Sequence, residues 1–273
     1  MERVVSQNGV VYYRSELLPC PHGFSTRVGG VSKLEHTESL NLGIDRGDEK
    51  ETVIENLRLF AGAVGFSPEN IISVPQIHSS KVRYVTEENA GEGFFCEPRE
   101  SCDGYVSDRK GIALGVRTAD CVPILLYAPP HENFSGGVSA VHAGWRGTAS
   151  KIVINAIDVL LEKGAVLQEI KVAIGPSIEK CCYEVREDFY NSFKELMGEE
   201  MTEKFVRSDA VSSNTWRADL KGANTELLIQ KGIPRENIDV SDLCTCCMPN
   251  EFYSHRYTGG KRGTMLSVIE RKE

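Results

Sequence analysis

The chain has 273 residues, of which 41% are hydrophobic and 26% charged, and its formal net charge is −8 at pH 7. These values are typical of a globular protein, and the acidic balance disfavours nucleic acid and anionic membranes as partners because both are negatively charged. No apolar stretch approaches the roughly 20 residues of a membrane helix, and the first residues lack the apolar segment of a secretory signal, so we expect a cytoplasmic protein.

The hydrophobic pattern predicts strands and helices that interleave along the chain. Apolar runs of strand length occur at residues 10–14, 71–74, 82–85, 111–116, 122–127, 138–141 and 172–174. Periodicity and stop residues predict helices at 48–64, 148–163, 187–197 and 218–231. Because the order follows no regular strand-helix-strand repeat and no linker is evident, we predict one layered domain of the α/β (α+β) class over residues 1–273, with mixed β-sheets.

Two of the predicted helices have signals at their starts. Asp48 followed by Glu51 resembles a capping box for the first helix, which Gly65 should end. The second helix is expected to begin at Thr148, directly after Arg146 and Gly147. A helix N-terminus beside a guanidinium favours an anion such as phosphate, although a tight turn with a solvated arginine is an equal alternative.

Three potential metal ligands lie beside strand ends, where a scaffold can direct side chains into one cleft: His78, Cys121 and His142. Two imidazoles and a thiolate suit a catalytic zinc, which keeps a fourth position open. A copper centre with the same ligands usually adds an axial methionine, and none lies near them in sequence, so copper is less favoured. The spacings match no compact metal motif, and separate packing roles for the three residues stay open.

A second hypothesis uses the same residues without a metal. Cys121 would be a nucleophile, His142 its base and Asp120 the group that orients the base, as in thiol hydrolases. Adjacent residues of a strand point to opposite faces, so Asp120 can assist Cys121 only if the chain bends there.

Other candidates are polar residues on turns and loops. Gln76 shares a turn with His78, and Arg27 and Asn41 lie in glycine-flanked segments where they could contact a phosphate, ribose or base, or serve only as turn residues. The segment 244–247 contains one Cys-x-x-Cys, but the second pair expected of a zinc ribbon is missing, and a redox role is not favoured. The pair at 181–182 is interpreted as structural.

Short motifs spread over nearly the whole chain carry a family resemblance. They are Ser25–Ser32, Ser39–Gly43, Gln76–His78, Thr118–Pro123, His142–Gly147, Ile174–Pro176, Tyr183–Val185, Cys244-Thr245 and Phe252–Arg256. In these segments the sequence closely resembles the YfiH-like family, formerly called multicopper polyphenol oxidoreductases or laccase-like proteins and now described as purine nucleoside phosphorylases. The resemblance implies a YfiH-like catalytic domain and a small-molecule substrate.

The resemblance also implies roles for individual residues. His78, Cys121 and His142 fall on the family's zinc ligands, and the family is credited with phosphorolysis of adenosine, inosine and methylthioadenosine and with adenosine deamination. The residues it offers for contacts to phosphate or nucleoside are Arg27, Asn41, Gln76, Arg146 and Arg256. For deamination, Asp120 is the nearest carboxylate that could act as acid or base.

Two departures from the family pattern stand out. Ser79 replaces a frequent glycine, and the segment 254–257 reads Ser-His-Arg-Tyr in place of a common Ser-Tyr-Arg-Arg. The second puts the anion-binding contribution of this segment in doubt, while His255 could add a proton donor or a fourth ligand. We therefore expect a zinc-dependent purine nucleoside phosphorylase. A laccase-like polyphenol oxidase, a hydrolase based on Cys121 and His142, and a non-catalytic binding protein are the competing hypotheses.

Overall fold

The structure is a computed structural model that describes residues 1–209 and 214–272. The strands of this part of the chain are β1 (Glu2–Val5), β2 (Val11–Arg14), β3 (His22–Ser25), β4 (Ile71–Ile72), β5 (Val82–Tyr84), β6 (Gly104–Ser107), β7 (Ala113–Thr118), β8 (Val122–Ala128), β9 (Gly137–Ala143), β10 (Lys171–Ile174), β11 (Glu184–Arg186), β12 (Val206–Ser208), β13 (Thr215–Ala218), β14 (Ile238–Val240) and β15 (Met265–Glu270). The α-helices are α1 (Lys50–Val64), α2 (Trp145–Ala149), α3 (Ile152–Glu162), α4 (Glu187–Met197), α5 (Glu199–Phe205), α6 (Leu220–Lys231) and α7 (His255–Thr258).

The strands form two six-stranded sheets and one small sheet. The first sheet has the order β1-β2-β3-β15-β7-β4, the second β14-β10-β8-β9-β6-β5, and the third β11-β13-β12. Both large sheets are mixed, because β4 runs parallel to β7, β5 to β6 and β14 to β10, while their other pairs are antiparallel. The prediction of a layered α/β fold with mixed sheets is confirmed. Among the described residues, no helix combines the length and the apolarity that crossing a membrane requires.

The two large sheets pack face to face, and helices cover their outer faces. Leu114 of β7 and Leu125 of β8 belong to the apolar cluster between the sheets. Ile124 of β8 faces the other way, into a cluster with α3 and α6, and α1 covers the outer face of the first sheet. Strand β8 is therefore apolar on both faces, as its sequence predicts.

The start of α1 differs from the sequence prediction. The helix begins at Lys50, and its N-cap Glu49 makes no side-chain cap bond. The Asp48 carboxylate instead accepts hydrogen bonds from Ser32 (2.7 Å), Thr37 (2.9 Å) and Asn41 (2.8 Å), which tie together the loops before the helix. The predicted capping box is wrong because these distant donors compete for the carboxylate.

The predicted helix 148–163 is interrupted in the structure. Helix α2 ends at Ala149, and α3 begins after Lys151, whose φ of 57° is left-handed. Arg146 and Gly147 consequently lie inside α2 instead of before a helix N-terminus. The predicted helix start at Thr148 is wrong, whereas the phosphate contact of Arg146 stays a prediction; its guanidinium stacks 4.3 Å above the Trp145 ring.

A buried ion pair stabilises the end of the second sheet. Arg83 Nη1 of β5 lies 2.8 Å from Glu92 Oε2, and Asn89 donates to the other oxygen of that carboxylate at 2.8 Å. The side chain of Arg83 is 8% exposed and that of Glu92 is 2% exposed. Burial alone would raise the pKa of Glu92, but the hydrogen bonds from Arg83 and Asn89 outweigh it and lower the pKa.

Arg83→Met should lower the free energy of unfolding by about 3 kcal/mol, because it leaves the buried Glu92 carboxylate without its close, buried cation and with only the exposed Arg99, at 3.7 Å. Urea unfolding measures the change. Arg58→Met, which removes an exposed arginine of α1 paired only with Glu55, should change the stability by less than about 0.5 kcal/mol. Equal effects of the two substitutions would contradict the importance of the buried pair.

Candidate metal centre

The structure brings His78, Cys121 and His142 together at one end of the sheet sandwich. His78 lies in the connection between β4 and β5, Cys121 directly precedes β8, and His142 is part of the neighbouring β9. Cys121 Sγ is 4.0 Å from His78 Nε2, and the two imidazole rings are 4.9 Å apart at an interplanar angle of 86°. One donor atom from each residue lies within 4.8 Å of the others.

Asp103, which directly precedes β6, holds both histidines in place. Its fully buried carboxylate accepts a hydrogen bond from His142 Nδ1 at 2.9 Å. It also accepts from the backbone N–H groups of Ile77 (3.2 Å), His78 (2.9 Å) and Ser79 (2.8 Å), and from the Ser79 hydroxyl (2.7 Å). With Nδ1 of His142 engaged, its Nε2 is the nitrogen available to a metal.

Sequence analysis did not identify Asp103, because nothing in the local sequence links it to a histidine on another strand. It did note Ser79 as a departure from the family pattern. In the structure the Ser79 hydroxyl adds a hydrogen bond to Asp103 that a glycine would lack. The substitution therefore strengthens the support of the histidine loop.

Two residues of the centre have unusual backbone conformations. His78 has a φ of 57° and Asp120 a φ of 102°, both in a region that residues with a Cβ rarely adopt. The bend at Asp120 is the one that the hypothesis of a thiol hydrolase required. However, the Asp120 carboxylate accepts from Thr245 Oγ1 (2.7 Å) and from the backbone N–H of Arg256 (2.7 Å). The residue that orients His142 is Asp103, and that part of the hypothesis is corrected.

Cys121 and His142 influence each other's protonation. Burial raises the pKa of the Cys121 thiol, but the adjacent His142 and His78 outweigh it and lower the pKa to about 6. Burial lowers the pKa of His142, but Cys121 and Asp103 outweigh it and raise the pKa to about 9. Near neutral pH the protein thus favours a thiolate, which is the form of cysteine that binds metals and attacks electrophiles.

A cleft of about 200 Å³ opens above the three residues. Its wall includes three arginines, Arg46, Arg117 and Arg262, although the chain as a whole is acidic. Other polar residues of the wall are Asp45, Gln76, Thr118 and Thr264. The concentration of positive charge makes this cleft suitable for an anion.

Arg262 has the clearest capacity for a further ligand. Its Nη1 donates to the Gly263 carbonyl (3.1 Å) and to Thr264 Oγ1 (3.0 Å), while its buried Nε has no hydrogen-bond partner among the described residues. Burial and the neighbouring Arg46 lower the pKa of Arg262. A bound anion would accept a hydrogen bond from the unpaired Nε and would reduce the repulsion between the two guanidinium groups.

The three arginines of the cleft were not predicted from the sequence, because no motif links them, although Gly47 follows Arg46 and Gly263 follows Arg262. Arg117 Nη2 donates to the carbonyls of Ser73 (3.2 Å) and Val74 (3.1 Å), and burial lowers its pKa. Their convergence depends on the packing of segments that are far apart in sequence. No short-range signal could have identified it.

Two of the predicted substrate residues have structural contacts near the cleft. Gln76 lies in the wall, where its amide exchanges two hydrogen bonds with the backbone of Arg117 (2.8 and 2.7 Å). Asn41 is fully buried and outside the wall. Its side-chain amide forms two hydrogen bonds with the backbone of Gly43, one with the Asp48 carboxylate and one with the backbone N–H of Thr264. Asn41 therefore shapes the loop that carries Arg46, and its contact with a substrate stays a prediction.

The remaining predicted arginines lie outside the cleft wall. Arg27 donates to the carbonyls of Glu38 (2.9 Å) and Pro249 (2.8 Å). Arg256 donates to the carbonyls of Cys182 (3.2 Å) and Glu184 (2.9 Å). Their guanidinium groups thus connect loops, and their contacts with phosphate stay a prediction.

Gly144 provides the space that a metal requires. A Cβ atom at this position would lie 3.0 Å from His78 Cδ2, 3.3 Å from Cys121 Sγ and 3.6 Å from His142 Cε1. Its φ of −65° suits any residue, so a substitution would act through this space and not through backbone strain.

If the three residues share a metal ion, Gly144→Ala should weaken its binding by about tenfold, because the new methyl group pushes the three side chains apart. The effect should be comparable to the loss of a group that orients a ligand. Competition with a chelator measures the affinity. The matched control is Gly62→Ala in α1, where a Cβ has only one contact, at 3.8 Å. Unchanged affinity in Gly144→Ala would show that the ligands do not close on a common ion.

Comparison with known proteins places the chain in a family. Residues 21–272 match the family described as multi-copper polyphenol oxidoreductase laccase. The chain belongs to this family. Among proteins of known structure, the hypothetical protein YfiH of Bacillus licheniformis superimposes with a TM-score of 0.88 at 30% identity, covering 98% of this chain and 97% of that one.

Two relatives of this chain have names that state an activity. A protein named purine nucleoside phosphorylase YlmD, from Geobacillus stearothermophilus, is 35% identical over 92% of this chain and 90% of its own length. The crystal structure of YlmD from this organism superimposes with a TM-score of 0.84. A protein named adenosine deaminase RL5, from an unknown prokaryotic organism, is 32% identical over 91% of this chain and 93% of its own length. The resemblance to the YfiH-like family is confirmed.

Proposed function

We propose that this protein is a zinc-dependent purine nucleoside phosphorylase that acts on nucleosides such as adenosine, inosine and methylthioadenosine. The observation that carries the proposal is the position of His78, Cys121 and His142 at the base of a cleft whose wall contains three arginines. Such a cleft combines a metal centre with an anion site. The activity named for the YlmD relative, which needs both a nucleoside and phosphate, adds support.

The three residues fit zinc. Two imidazoles and a thiolate match its preferred donors once zinc displaces the proton that the raised pKa of His142 retains, and the bond from His142 to Asp103 is the support that metal-binding histidines usually have. When bound, zinc would supply a Lewis acid at the base of the cleft.

The arginines would hold the attacking phosphate. Charge-assisted hydrogen bonds from Arg262, whose Nε is unpaired among the described residues, and from Arg46 and Arg117 would fix one phosphate oxygen toward the sugar carbon. As that oxygen forms its bond to the sugar, the bond to the purine nitrogen breaks, and the purine leaves with the electron pair and takes up a proton. The products are the free purine and ribose 1-phosphate, or 5-methylthioribose 1-phosphate when the substrate is methylthioadenosine.

The size of the cleft limits how much of the substrate it can enclose. Its volume of about 200 Å³ is below the roughly 300–1,000 Å³ of pockets that bury a whole drug-sized ligand. We infer that phosphate and ribose occupy the cleft while the purine extends from its mouth. Few contacts to the base would allow several purine nucleosides to react.

Adenosine deamination is a second candidate, supported by the name of the RL5 relative. It requires a group that transfers protons, for which Asp120 is our candidate from the sequence. Both Asp120 oxygens accept hydrogen bonds, from Thr245 and from the backbone of Arg256, so this role needs one of those bonds to open. We therefore rank phosphorolysis first and assign Asp120 primarily to positioning.

A thiol hydrolase and a copper oxidase would each have a specific signature. A hydrolase based on Cys121 and His142, now with Asp103 as the orienting group, would be inactivated by alkylation of Cys121 and would need no metal. An oxidase with several coppers would need more histidine-rich sites. Within the described residues, only one group of potential metal ligands contains histidine.

The test is to incubate zinc-loaded protein with inosine and phosphate and to measure hypoxanthine and ribose 1-phosphate. We expect equal amounts of both products with the wild type and no activity above background with His78→Ala. His131→Ala, in which an exposed histidine bonded to the Gly164 carbonyl is removed, is the matched control and should retain activity. Wild-type protein that forms neither product, or equal rates for His78→Ala and His131→Ala, would refute the proposal.

A further inference from the structure

A second group of potential metal ligands lies beside the candidate centre, on the protein surface. Cys181 and Cys182, in the turn before β11, meet Cys244 and Cys247 of the loop after β14, and all four sulfur atoms lie within 4.8 Å of one another. The measured separations of Sγ atoms are 3.7 Å for Cys181 and Cys182, 3.6 Å for Cys181 and Cys247, and 3.3 Å for Cys182 and Cys247. From the sequence, the second pair for the Cys-x-x-Cys segment seemed to be missing; the structure supplies it as two adjacent cysteines.

We propose that these four cysteines bind a second zinc ion, in a structural site separate from the His78, Cys121 and His142 centre. Zinc binds thiolates at about 2.3 Å in a tetrahedron, so its sulfur ligands should be about 3.8 Å apart. The three measured separations, 3.3 to 3.7 Å, are close to this value. Four thiolates without an open position are the ligand set of a structural zinc site.

A backbone N–H group points at the sulfur of Cys244, which is the innermost of the four. The backbone nitrogen of Glu179 lies 3.4 Å from Cys244 Sγ. An N–H donor at a cysteine sulfur favours the thiolate that a metal requires.

Two arginines contact the backbone of the cluster, of which Arg217 also pairs with Asp209 and Glu184. Arg217 donates to the carbonyl of Cys181 at 3.1 Å, and Arg256 donates to the carbonyl of Cys182 at 3.2 Å. A zinc ion with four thiolates has a net charge of −2, which nearby guanidinium groups would stabilise. The predicted phosphate ligand Arg256 thus acquires a different role, next to this cluster.

The site would hold the loop that supports the first centre. Thr245, between two of the ligands, donates to Asp120 at 2.7 Å, and Asp120 precedes Cys121. The backbone N–H of Arg256 binds the other Asp120 oxygen at 2.7 Å. A zinc ion that joins 181–182 to 244–247 would therefore fix both partners of the bend at Asp120.

The arrangement also has to be compared with a disulfide. Two of the sulfurs could move together to the 2.05 Å or so of an S–S bond, but this would use only two cysteines. The closest pair, Cys182 and Cys247 at 3.3 Å, would leave Cys181 and Cys244 beside it without a role. Zinc accounts for all four sulfurs and for the N–H group that points at Cys244.

Zinc content and cobalt spectra test the proposal without an activity measurement. Purified protein loaded with zinc should hold about two ions per chain, Cys181→Ser/Cys247→Ser about one, and His78→Ala/His142→Ala about one. Cys96→Ser, which removes an exposed cysteine outside both groups, is the control and should hold about two. With cobalt, the Cys181→Ser/Cys247→Ser protein should lose about four-fifths of the thiolate charge-transfer absorption, because four of the five ligating thiolates belong to this site.

The proposal is overturned if wild-type protein holds about one zinc and its cobalt spectrum is unchanged by Cys181→Ser/Cys247→Ser. It is also overturned if mass spectrometry finds a disulfide within the cluster in zinc-loaded protein. Should the serine variant not fold, His78→Ala/His142→Ala decides alone, since it must keep about four-fifths of the charge-transfer absorption. Because none of these readouts depends on nucleosides, the result is independent of the proposed phosphorylase activity.

Discussion

Asp103→Ala should weaken zinc binding about 100-fold and lower the free energy of unfolding by about 4 kcal/mol. The first effect is expected because His142 loses the acceptor that orients it, and removal of such a partner commonly costs 10- to 100-fold in metal affinity. The second follows because the partly buried backbone donors of residues 77–79 and the buried His142 ring would lose their acceptor, at about 1 kcal/mol for each bond.

The pH dependence of unfolding distinguishes the loss of the Asp103 hydrogen bonds from a general loss of packing. Burial raises the pKa of Asp103, but hydrogen bonds from His142 and Ser79 outweigh it and lower the pKa from 3.8 to about 2. A carboxyl group whose pKa is lower in the folded protein than in the unfolded chain stabilises the folded state at pH values above the pKa of the unfolded chain. This stabilisation is lost as the pH falls toward 2. The shift corresponds to about 2 kcal/mol. Wild-type protein should therefore lose stability between pH 4 and 2 by about this amount more than Asp103→Asn does.

Asp108→Asn is the control for both measurements, because this half-buried carboxylate contacts Tyr84 and Arg109 and lies outside the centre. It should leave zinc affinity unchanged. If Asp103→Ala and Asp108→Asn bind zinc equally well, Asp103 does not support the ligands in the way that the hydrogen bonds indicate.

Arg262→Met should lower kcat/KM for phosphate by about 100- to 1,000-fold, a loss typical of removing one preorganised donor that stabilises the charge of the transition state. The buried Nε of this arginine lacks a partner among the described residues, and Arg46 lies close enough to lower its pKa. Methionine keeps most of the length of the side chain but provides neither charge nor donor. Initial rates at varied phosphate and saturating inosine measure the effect.

Arg58→Met provides the matched control, since it removes an equally large cation from the exposed face of α1. It should change kcat/KM by less than about twofold, in keeping with a surface substitution away from the site. If Arg262→Met changes KM for inosine but not for phosphate, the cleft binds the nucleoside where we place the anion.

Much of the fold could be predicted from local sequence. The apolar run of β8 indicated burial on both faces, and the predicted helix 187–197 has the bounds of α4. The break at Lys151 was missed because the apolar periodicity continues across it. Strand β15 was also missed, although it lies in the middle of the first sheet, where it pairs with β3 and β7.

The residues of the candidate site also include some that the sequence predicted and some that it did not. His78, Cys121 and His142 were found because each is a potential ligand beside a strand end. Asp103 and Arg262 were not found, because their importance comes from contacts with distant segments. Arg27 and Asn41 have sequence surroundings typical of a binding site, yet their polar groups bind backbone and loop partners. Local sequence therefore identified the ligand types, and tertiary packing determined which other residues surround them.

The central claim is that one zinc ion joins His78, Cys121 and His142. A crystal structure of zinc-loaded protein, with anomalous scattering recorded on both sides of the zinc absorption edge, tests it directly. We predict a zinc peak at about 2.0–2.1 Å from Nε2 of both histidines and about 2.3 Å from the Cys121 sulfur, with the Nδ1 of His142 still bound to Asp103. Zinc-loaded crystals without a peak between these three residues, or with zinc held by other residues in their place, would contradict the account.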